Sequence, residues 1–283
     1  MERILLAGAT GYLGQFILDE LLRRGYQVKP LVRDAAKIKA AGYGDLECCE
    51  AEIADPGSIA GCCDRVDVVI STVGITRQKD GLSYMDVDFQ ANVNLLEEAQ
   101  RAGVRKFIYV SALKADTLTQ VAICRAKELF VGKLKQSGVD FCVIRPNGFF
   151  SDMAEFIAMA RRGRVYLFGT GNFRSNPIHG ADLAAVCVDA VNAPGQEIEV
   201  GGPEILSHEE IARLAFASVG KPPRISYIPE WLRKSILGSL QLLTRQSFYG
   251  PIQFFLTVMA MDMVAPAYGS RTLEEFFADL GKP

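Results

Sequence analysis

The sequence predicts an α/β fold: a Rossmann-like doubly wound parallel sheet with a smaller C-terminal substrate-binding region. Three observations carry this. Short apolar or β-branched runs alternate with helical patterns through the first 150 residues, three of those helical patterns stop at a glycine, and the first run opens into the turn "GATGYLG". Strands separated by helices must run parallel, and their crossovers are right-handed.

In chain order the strands are expected at 3–9 ("RILLAGA"), 27–33 ("QVKPLVR"), 66–74 ("VDVVISTVG"), 106–112 ("KFIYVSA") and 141–146 ("FCVIRP"), with 46–52 ("LECCEAE") as a weaker sixth. Leu13, Phe16, Ile17, Leu21 and Leu22 recur at helical spacing; a short helix is expected after Pro56, a longer one over 89–103, and another through "AICRAKELFVGKL" (122–134). The stops "RRG", "RAG" and "QSG" each precede a strand, as glycine beyond a helix end commonly does. Past residue 150 the rhythm loosens. A loop and a helix are expected over 174–191, a short strand and turn over 196–204, and a helix from Ser207 opened by a capping box with Glu210. Without repeats or a long linker, residues 1–150 are expected to form a dinucleotide-binding core, and residues 151–283 a substrate-binding or lid region packed on it, partly contributing to its sheet.

Composition narrows the function. A net charge of -2 with 23% charged residues does not mark a nucleic-acid binder. Seven cysteines, including the adjacent pairs Cys48–Cys49 and Cys62–Cys63, lack metal-ligand spacing, so no metal is expected and buried reduced thiols are. The N-terminus runs straight into "RILLAGATG" and no apolar run reaches a membrane span, which sets the expectation of a cytoplasmic protein.

The turn Gly8-Ala9-Thr10-Gly11-Tyr12-Leu13-Gly14 carries glycines every third residue between a strand and a helix. Glycine there allows a tight turn, close approach of backbone to a pyrophosphate, and close packing of helix on strand. Nineteen residues beyond Gly14, at the end of the second strand, stands Arg33. An acidic residue there would hold the ribose of NAD(H), whereas arginine accommodates the 2′-phosphate of NADP(H). Lys37 could support it, Asp34 argues the other way, and a solvated surface arginine is the plain alternative. NADP(H) is therefore expected over NAD(H).

Lys127 stands in the middle of an apolar stripe, with Ile123 four residues before it and Phe130, Val131 and Leu134 after it. An ammonium on an inward face is costly unless something pairs with it. Either it faces a ligand or its stem snorkels from a partly exposed face. Removing the charge from such a stripe is expected to be neutral or favourable for stability.

The glycine spacing, the "YVSA" strand ending at Ser111, the Lys127 helix and the "VIRP" strand resemble an atypical short-chain dehydrogenase/reductase of the NmrA-like and extended NAD(P)-binding branch. The resemblance covers about residues 3–190 and implies an oxidoreductase. In that family a Tyr-x-x-x-Lys lies on this helix: Lys127 matches the lysine, which holds the nicotinamide ribose, and Ser111 matches the serine, but Ile123 stands at the tyrosine. The resemblance further places Glu52 and Ile53 by the adenine and Ser71, Thr72, Val73 and Gly74 along the cofactor. Pro146, Asn147, Gly148 and Phe149 would border the nicotinamide and substrate. His179 matches a position that helps hold the two halves together, with proton transfer as its alternative role.

The C-terminal stretch 229–266 is rich in Leu, Phe and Met, with Leu232, Ile236, Leu240 and Leu243 at helical spacing and Arg233, Lys234 and Arg245 on its flanks. It reads as core helices, as a lid over a large apolar pocket, or as peripheral membrane contact. Together these features lead to the expectation of an NADP(H)-dependent oxidoreductase acting on a lipophilic cyclic or conjugated molecule. A non-catalytic NADP(H)-binding sensor or assembly factor is the rival, and Ile123 favours it.

Overall fold

A computed structural model of the chain describes residues 2–75 and 81–281, apart from the side chain of Ser247. In order these form β1 (Arg3–Ala7), α1 (Tyr12–Arg23), β2 (Gln27–Val32), α2 (Ala36–Ala40), β3 (Cys49–Glu50), β4 (Val68–Ser71), a π-helical segment (Met85–Ala91) that runs into α3 (Asn92–Arg101), β5 (Lys106–Val110), α4 (Ala122–Gln136) and β6 (Asp140–Pro146). Then follow α5 (Phe150–Arg161), β7 (Val165–Phe168), β8 (Arg174–Ser175), α6 (Gly180–Asp189), β9 (Gln196–Val200), β10 (Leu206–Ser207), α7 (His208–Ser218), β11 (Ile225–Ile228), α8 (Glu230–Leu243), α9 (Gln246–Val258) and α10 (Leu273–Gly281).

Seven strands make one sheet in the order β3-β2-β1-β4-β5-β6-β9. The registered pairs from β3 to β6 are all parallel. The order reverses between β1 and β4, which is where an open α/β sheet leaves its crevice for a ligand. This is the doubly wound fold that the alternation predicts. The three glycine stops behave as expected: Gly25, Gly103 and Gly138 all have positive φ. One apolar cluster packs β1, β4 and β5 against α3 and α4 through Leu5, Val69, Phe107, Leu95 and Phe130.

Three expectations need correction. No helix follows Pro56; the chain runs through turns that bury Ile59, Cys62 and Cys63, because a pin from Glu98 to the Gly61 N–H (2.7 Å) fixes a bend there. The weak strand shrinks to Cys49–Glu50 at the sheet edge, where β2 is its one neighbour. The strand expected over 66–74 is regular only to Ser71, since the residues after it turn away to meet Asp88 of the π-helical segment and Asn92 at the start of α3.

The chain divides into two compact units, residues 1–145 with 183–198, and residues 146–182 with 199–283. The second has its own core, in which Phe150 and Phe156 of α5, Phe216 of α7 and Phe277 of α10 are buried. The capping box of α7 forms as read, Ser207 accepting from the Glu210 N–H at 3.2 Å while Glu210 accepts from the Ser207 N–H at 2.7 Å. Helix α8 buries none of its residues, so its apolar spacing is not that of a core helix. Among the described residues no helix is long and apolar enough to cross a membrane.

Candidate functional site

The site residues of the first unit gather at the C-terminal ends of β1, β2, β4 and β5. Gly8 leaves β1 at φ +87°, and a Cβ on it would sit 2.4 Å from Thr72 Oγ1. A Cβ on Gly14 would meet the Gly8 carbonyl oxygen at 2.0 Å, so α1 can pack on this turn only with glycine there. Gly11 caps α1 without any side-chain hydrogen bond, and its own added Cβ would meet only the Gly8 oxygen, at 3.3 Å. Ala9 is buried under the turn, Leu13 anchors α1, and Thr10 and Tyr12 are exposed. A helix N-terminus left open in this way presents backbone N–H groups and the positive end of a dipole.

Beyond β2, Arg33 and Lys37 are exposed. Asp34, the acidic neighbour that argued against a 2′-phosphate, accepts the Ala36 N–H at 2.9 Å and so serves the turn into α2. Glu52 and Ile53 form a turn held by Ser58, whose hydroxyl accepts the Glu52 N–H at 2.9 Å, and by buried Asn94, whose amide donates to the Ile53 and Ala54 carbonyls.

After β4 a polar ladder carries the chain. Buried Ser71 donates to Asn92 Oδ1 at 2.6 Å, and the Asn92 amide donates to the carbonyls of Val73, Val87 and Asp88. π-Helical turns widen a helix locally and recur at functional sites; here the wide turn brings Asp88 and Asn92 onto one loop. Asp88 is fully buried, with one oxygen accepting the Ile75 N–H at 3.2 Å and the other 3.1 Å from Lys127 Nζ. Gly74 lies against this pair: a Cβ there would be 2.6 Å from Asp88 Oδ1 and 3.0 Å from Lys127 Nζ.

The apolar stripe of α4 is as read, with Ile123, Phe130, Val131 and Leu134 buried and Lys127 among them. Its ammonium pairs with Asp88 and reaches toward the Tyr109 hydroxyl at 3.5 Å, while 12% of the side chain stays exposed. Burial pushes the Asp88 carboxyl up and the ammonium and the Ile75 N–H pull it back; the 3.1 Å contact assigns carboxylate and ammonium. Burial alone would lower Lys127, but Tyr109 and Asp88 together hold it above its ordinary value. Burial, aided by Asp88, pushes the Tyr109 phenol up to about 12. Tyr109 is wholly buried, so it can support the lysine but cannot itself touch a substrate.

This pairing corrects the expectation that removing the Lys127 charge is harmless. The lysine answers a buried carboxylate, which would be left without its counter-ion. Asp88, Asn92, Asn94 and Tyr109 escaped the sequence reading. The signal was present in "VDFQANVN", where polar residues at 88 and 92 are four apart on a face that ought to be apolar.

Ser111 lies at the end of β5, 5% exposed, and donates to Glu128 Oε1 at 3.2 Å. Glu128 in turn is gripped by Arg145, at 2.5 and 2.9 Å, and Arg145 reaches Glu197 of β9 at 2.9 Å. The serine hydroxyl thus faces a carboxylate rather than Lys127; to polarise a substrate oxygen it would have to rotate away from Glu128.

The remaining residues belong to the second unit. The Asn147 amide donates to Asn176 Oδ1 (2.9 Å) and the Met263 carbonyl (2.6 Å), and its oxygen accepts the Gly148 N–H, so the side chain is engaged in that unit's framework. Pro146 ends β6, and Phe149 caps α5. His179 accepts the Ala181 N–H at 3.1 Å and lies edge-on to Phe150, and burial holds its pKa below the usual value. These are structural contacts inside one unit. The seven cysteines are free thiols, five of them buried.

A family described as NAD(P)H-binding matches residues 8–194. The divinyl chlorophyllide a 8-vinyl-reductase of Arabidopsis thaliana, a chloroplastic protein, is 25% identical over 97% of this chain and 76% of its own length. The photosystem II assembly factor Ycf39 of Trieres chinensis is 26% identical over 82% of this chain and 74% of its own. Among solved structures, an NADPH-dependent quinone oxidoreductase of Escherichia coli, determined with NADPH, superposes with a TM-score of 0.75 over 99% of this chain and all of its own, at 18% identity. That likeness establishes the fold.

Proposed function

Because this chain belongs to the NAD(P)H-binding family of oxidoreductases, we propose that it is an NADP(H)-dependent reductase of a conjugated, lipophilic cyclic molecule. The observation that carries this reading is the Asp88–Lys127 pair against Gly74, with Ile123 buried where a proton-donating tyrosine would stand. The cradle of Gly8, Gly11 and Gly14 suits a pyrophosphate, because Gly8 and Gly14 leave no room for a Cβ and all three keep the backbone of the turn bare. Arg33 and Lys37 would hold the 2′-phosphate, Glu52 and Ile53 would border the adenine, and Thr72, Val73 and Gly74 would run along the dinucleotide. Lys127, kept charged by Asp88, would donate to the nicotinamide ribose through its exposed edge. NADPH, when bound, supplies the hydride.

Ile123 stands at the tyrosine's position and Tyr109 is wholly buried, which favours an acceptor whose reduced form needs little help from the enzyme. A conjugated double bond meets this condition: the charge left by hydride addition spreads along the conjugation and takes a proton from water. A relative named for reducing a vinyl group supports the same class. Ile123 and the relative named as an assembly factor favour a second reading, a non-catalytic NADP(H)-binding protein.

The test has two arms. Titrated by fluorescence, NADPH should bind roughly tenfold or more tightly than NADH, and Arg33→Ala should erase the difference, as expected for a lost charge-assisted hydrogen bond. The NADPH complex is then mixed with lipophilic enones and quinones while nicotinamide absorbance is followed. Oxidation that is absent in Gly11→Trp is expected; tight NADPH binding with silence across the panel would turn the assignment to the second reading.

A further inference from the structure

Large apolar side chains scattered singly on a surface need no explanation, but a contiguous set does. The four most exposed among the described residues are Leu242 (87%), Leu243 (82%), Trp231 (67%) and Phe248 (59%), all on α8 and α9. Ile236 and Phe255 extend the same hairpin at 40% each. The inner side is accounted for, since Leu237 and Ile252 pack on the core of the second unit. Leu242 and Leu243 close α8 just before the two-residue turn into α9, so they project from the tip of the hairpin.

The charge of this segment differs from that of the chain. Between Glu230 and Phe255 the ionisable residues are Glu230, Arg233, Lys234 and Arg245, a net +2 in a protein whose net charge is -2. Arg233 donates to Glu230 at 2.8 Å, whereas Arg245 stands exposed in the turn beside the apolar tip, and Lys234 is exposed nearer the start of α8.

We propose that the α8–α9 hairpin seats the protein on an anionic lipid surface. Leu242, Leu243 and Phe248 would enter the boundary between headgroups and acyl chains, with Arg245 at the lipid phosphates. Apolar side chains beside cations on a short amphipathic element are the features that such a surface selects. A second copy of the chain fits less well, because its hairpin would bring the same positive charge against this one. Neither helix spans the bilayer, so the contact is peripheral. The inference does not depend on the reductase reading.

The full-length protein is mixed with vesicles of phosphatidylcholine with phosphatidylglycerol, or of phosphatidylcholine alone, and sedimented. Phosphatidylglycerol vesicles should carry the protein down, and added salt should weaken the binding by screening. Leu242→Glu with Leu243→Glu should abolish binding and leave NADPH affinity unchanged. Arg245→Glu should weaken it at least about fivefold. If the double variant loses cooperative melting, Phe248→Glu on the neighbouring helix replaces it. No sedimentation of the native chain, or equal sedimentation of a folded variant, overturns the proposal. So does self-association that the double variant loses while native protein ignores vesicles, which would assign the surface to a second copy.

Discussion

Beside Gly74, polar groups are sealed inside the protein; at the α8–α9 tip, leucines stand in water. Each region reverses the ordinary partition of side chains, and the two reversals are handled differently. Inside the first unit the cost is offset by pairing: Ser71 bonds Asn92, Asn92 and Asp88 hold the loop after β4, and the Asp88 oxygen that lacks a hydrogen bond has the Lys127 ammonium as its counter-ion at 3.1 Å. At the hairpin no described residue covers Leu242 and Leu243. The buried charges find their counter-ions within the chain, whereas an exposed apolar tip points outside it. The contrast teaches where to look for a bound small molecule and where for a larger surface.

The sharpest way to break this comparison is to unpair the buried ions. Asp88→Leu leaves the Lys127 ammonium without its carboxylate and should lower unfolding stability by about 3–5 kcal/mol. Lys127→Met strands the carboxylate instead and should also destabilise. The double variant, apolar on both sides, should recover most of the loss. Urea denaturation of the four proteins measures this coupling, and strictly additive losses would mean that the two charges do not act as a unit.

A buried polar group without such pairing should show itself by pH. His208, at the start of α7, is 2% exposed, and its Nδ1 has no hydrogen-bond partner among the described residues. Burial lowers its pKa to about 4, with Asp262 opposing weakly. Because the unfolded chain binds this proton more readily, stability is full above the unfolded pKa of about 6.5 and falls as pH drops toward the folded value. The expected loss across that window is about 3 kcal/mol. His208→Leu should flatten this part of the stability profile; an unchanged slope would place the titration elsewhere.

The sheet and its helices were legible because their signals are local. A glycine that ends a helix, a strand of β-branched residues and a capping box at Ser207 each act over a few positions, and each was read correctly. The glycine cradle was legible for the same reason. The Asp88–Lys127 pair was half legible: the lysine stood out in an apolar stripe, but its partner lies 39 positions earlier in the chain on a π-helical turn that no periodicity announces. The bend after Pro56 was misread since its shape comes from Glu98 on another helix, reaching the Gly61 N–H. For residues 229–266 the pattern alone could not separate a core from a surface, because amphipathic spacing fixes which residues share a face and leaves open what that face meets.

The smallest expected effect is the most telling for the exposed tip. Replacing Leu242 and Leu243 together with serine removes two large apolar side chains. Had they been core residues, each loss would cost about 2–5 kcal/mol. At 87% and 82% exposure they give up almost nothing on unfolding, so the stability of the isolated protein should stay within about 0.5 kcal/mol of native. Serine is a somewhat weaker helix former than leucine, which accounts for a few tenths in the last turn of α8. A drop near 3 kcal/mol by urea denaturation at low protein concentration would mean that these leucines are covered in solution. A drop that appears only at high concentration would mean that another copy covers them. Near-neutrality at every concentration is the outcome required of a tip whose partner lies outside the protein.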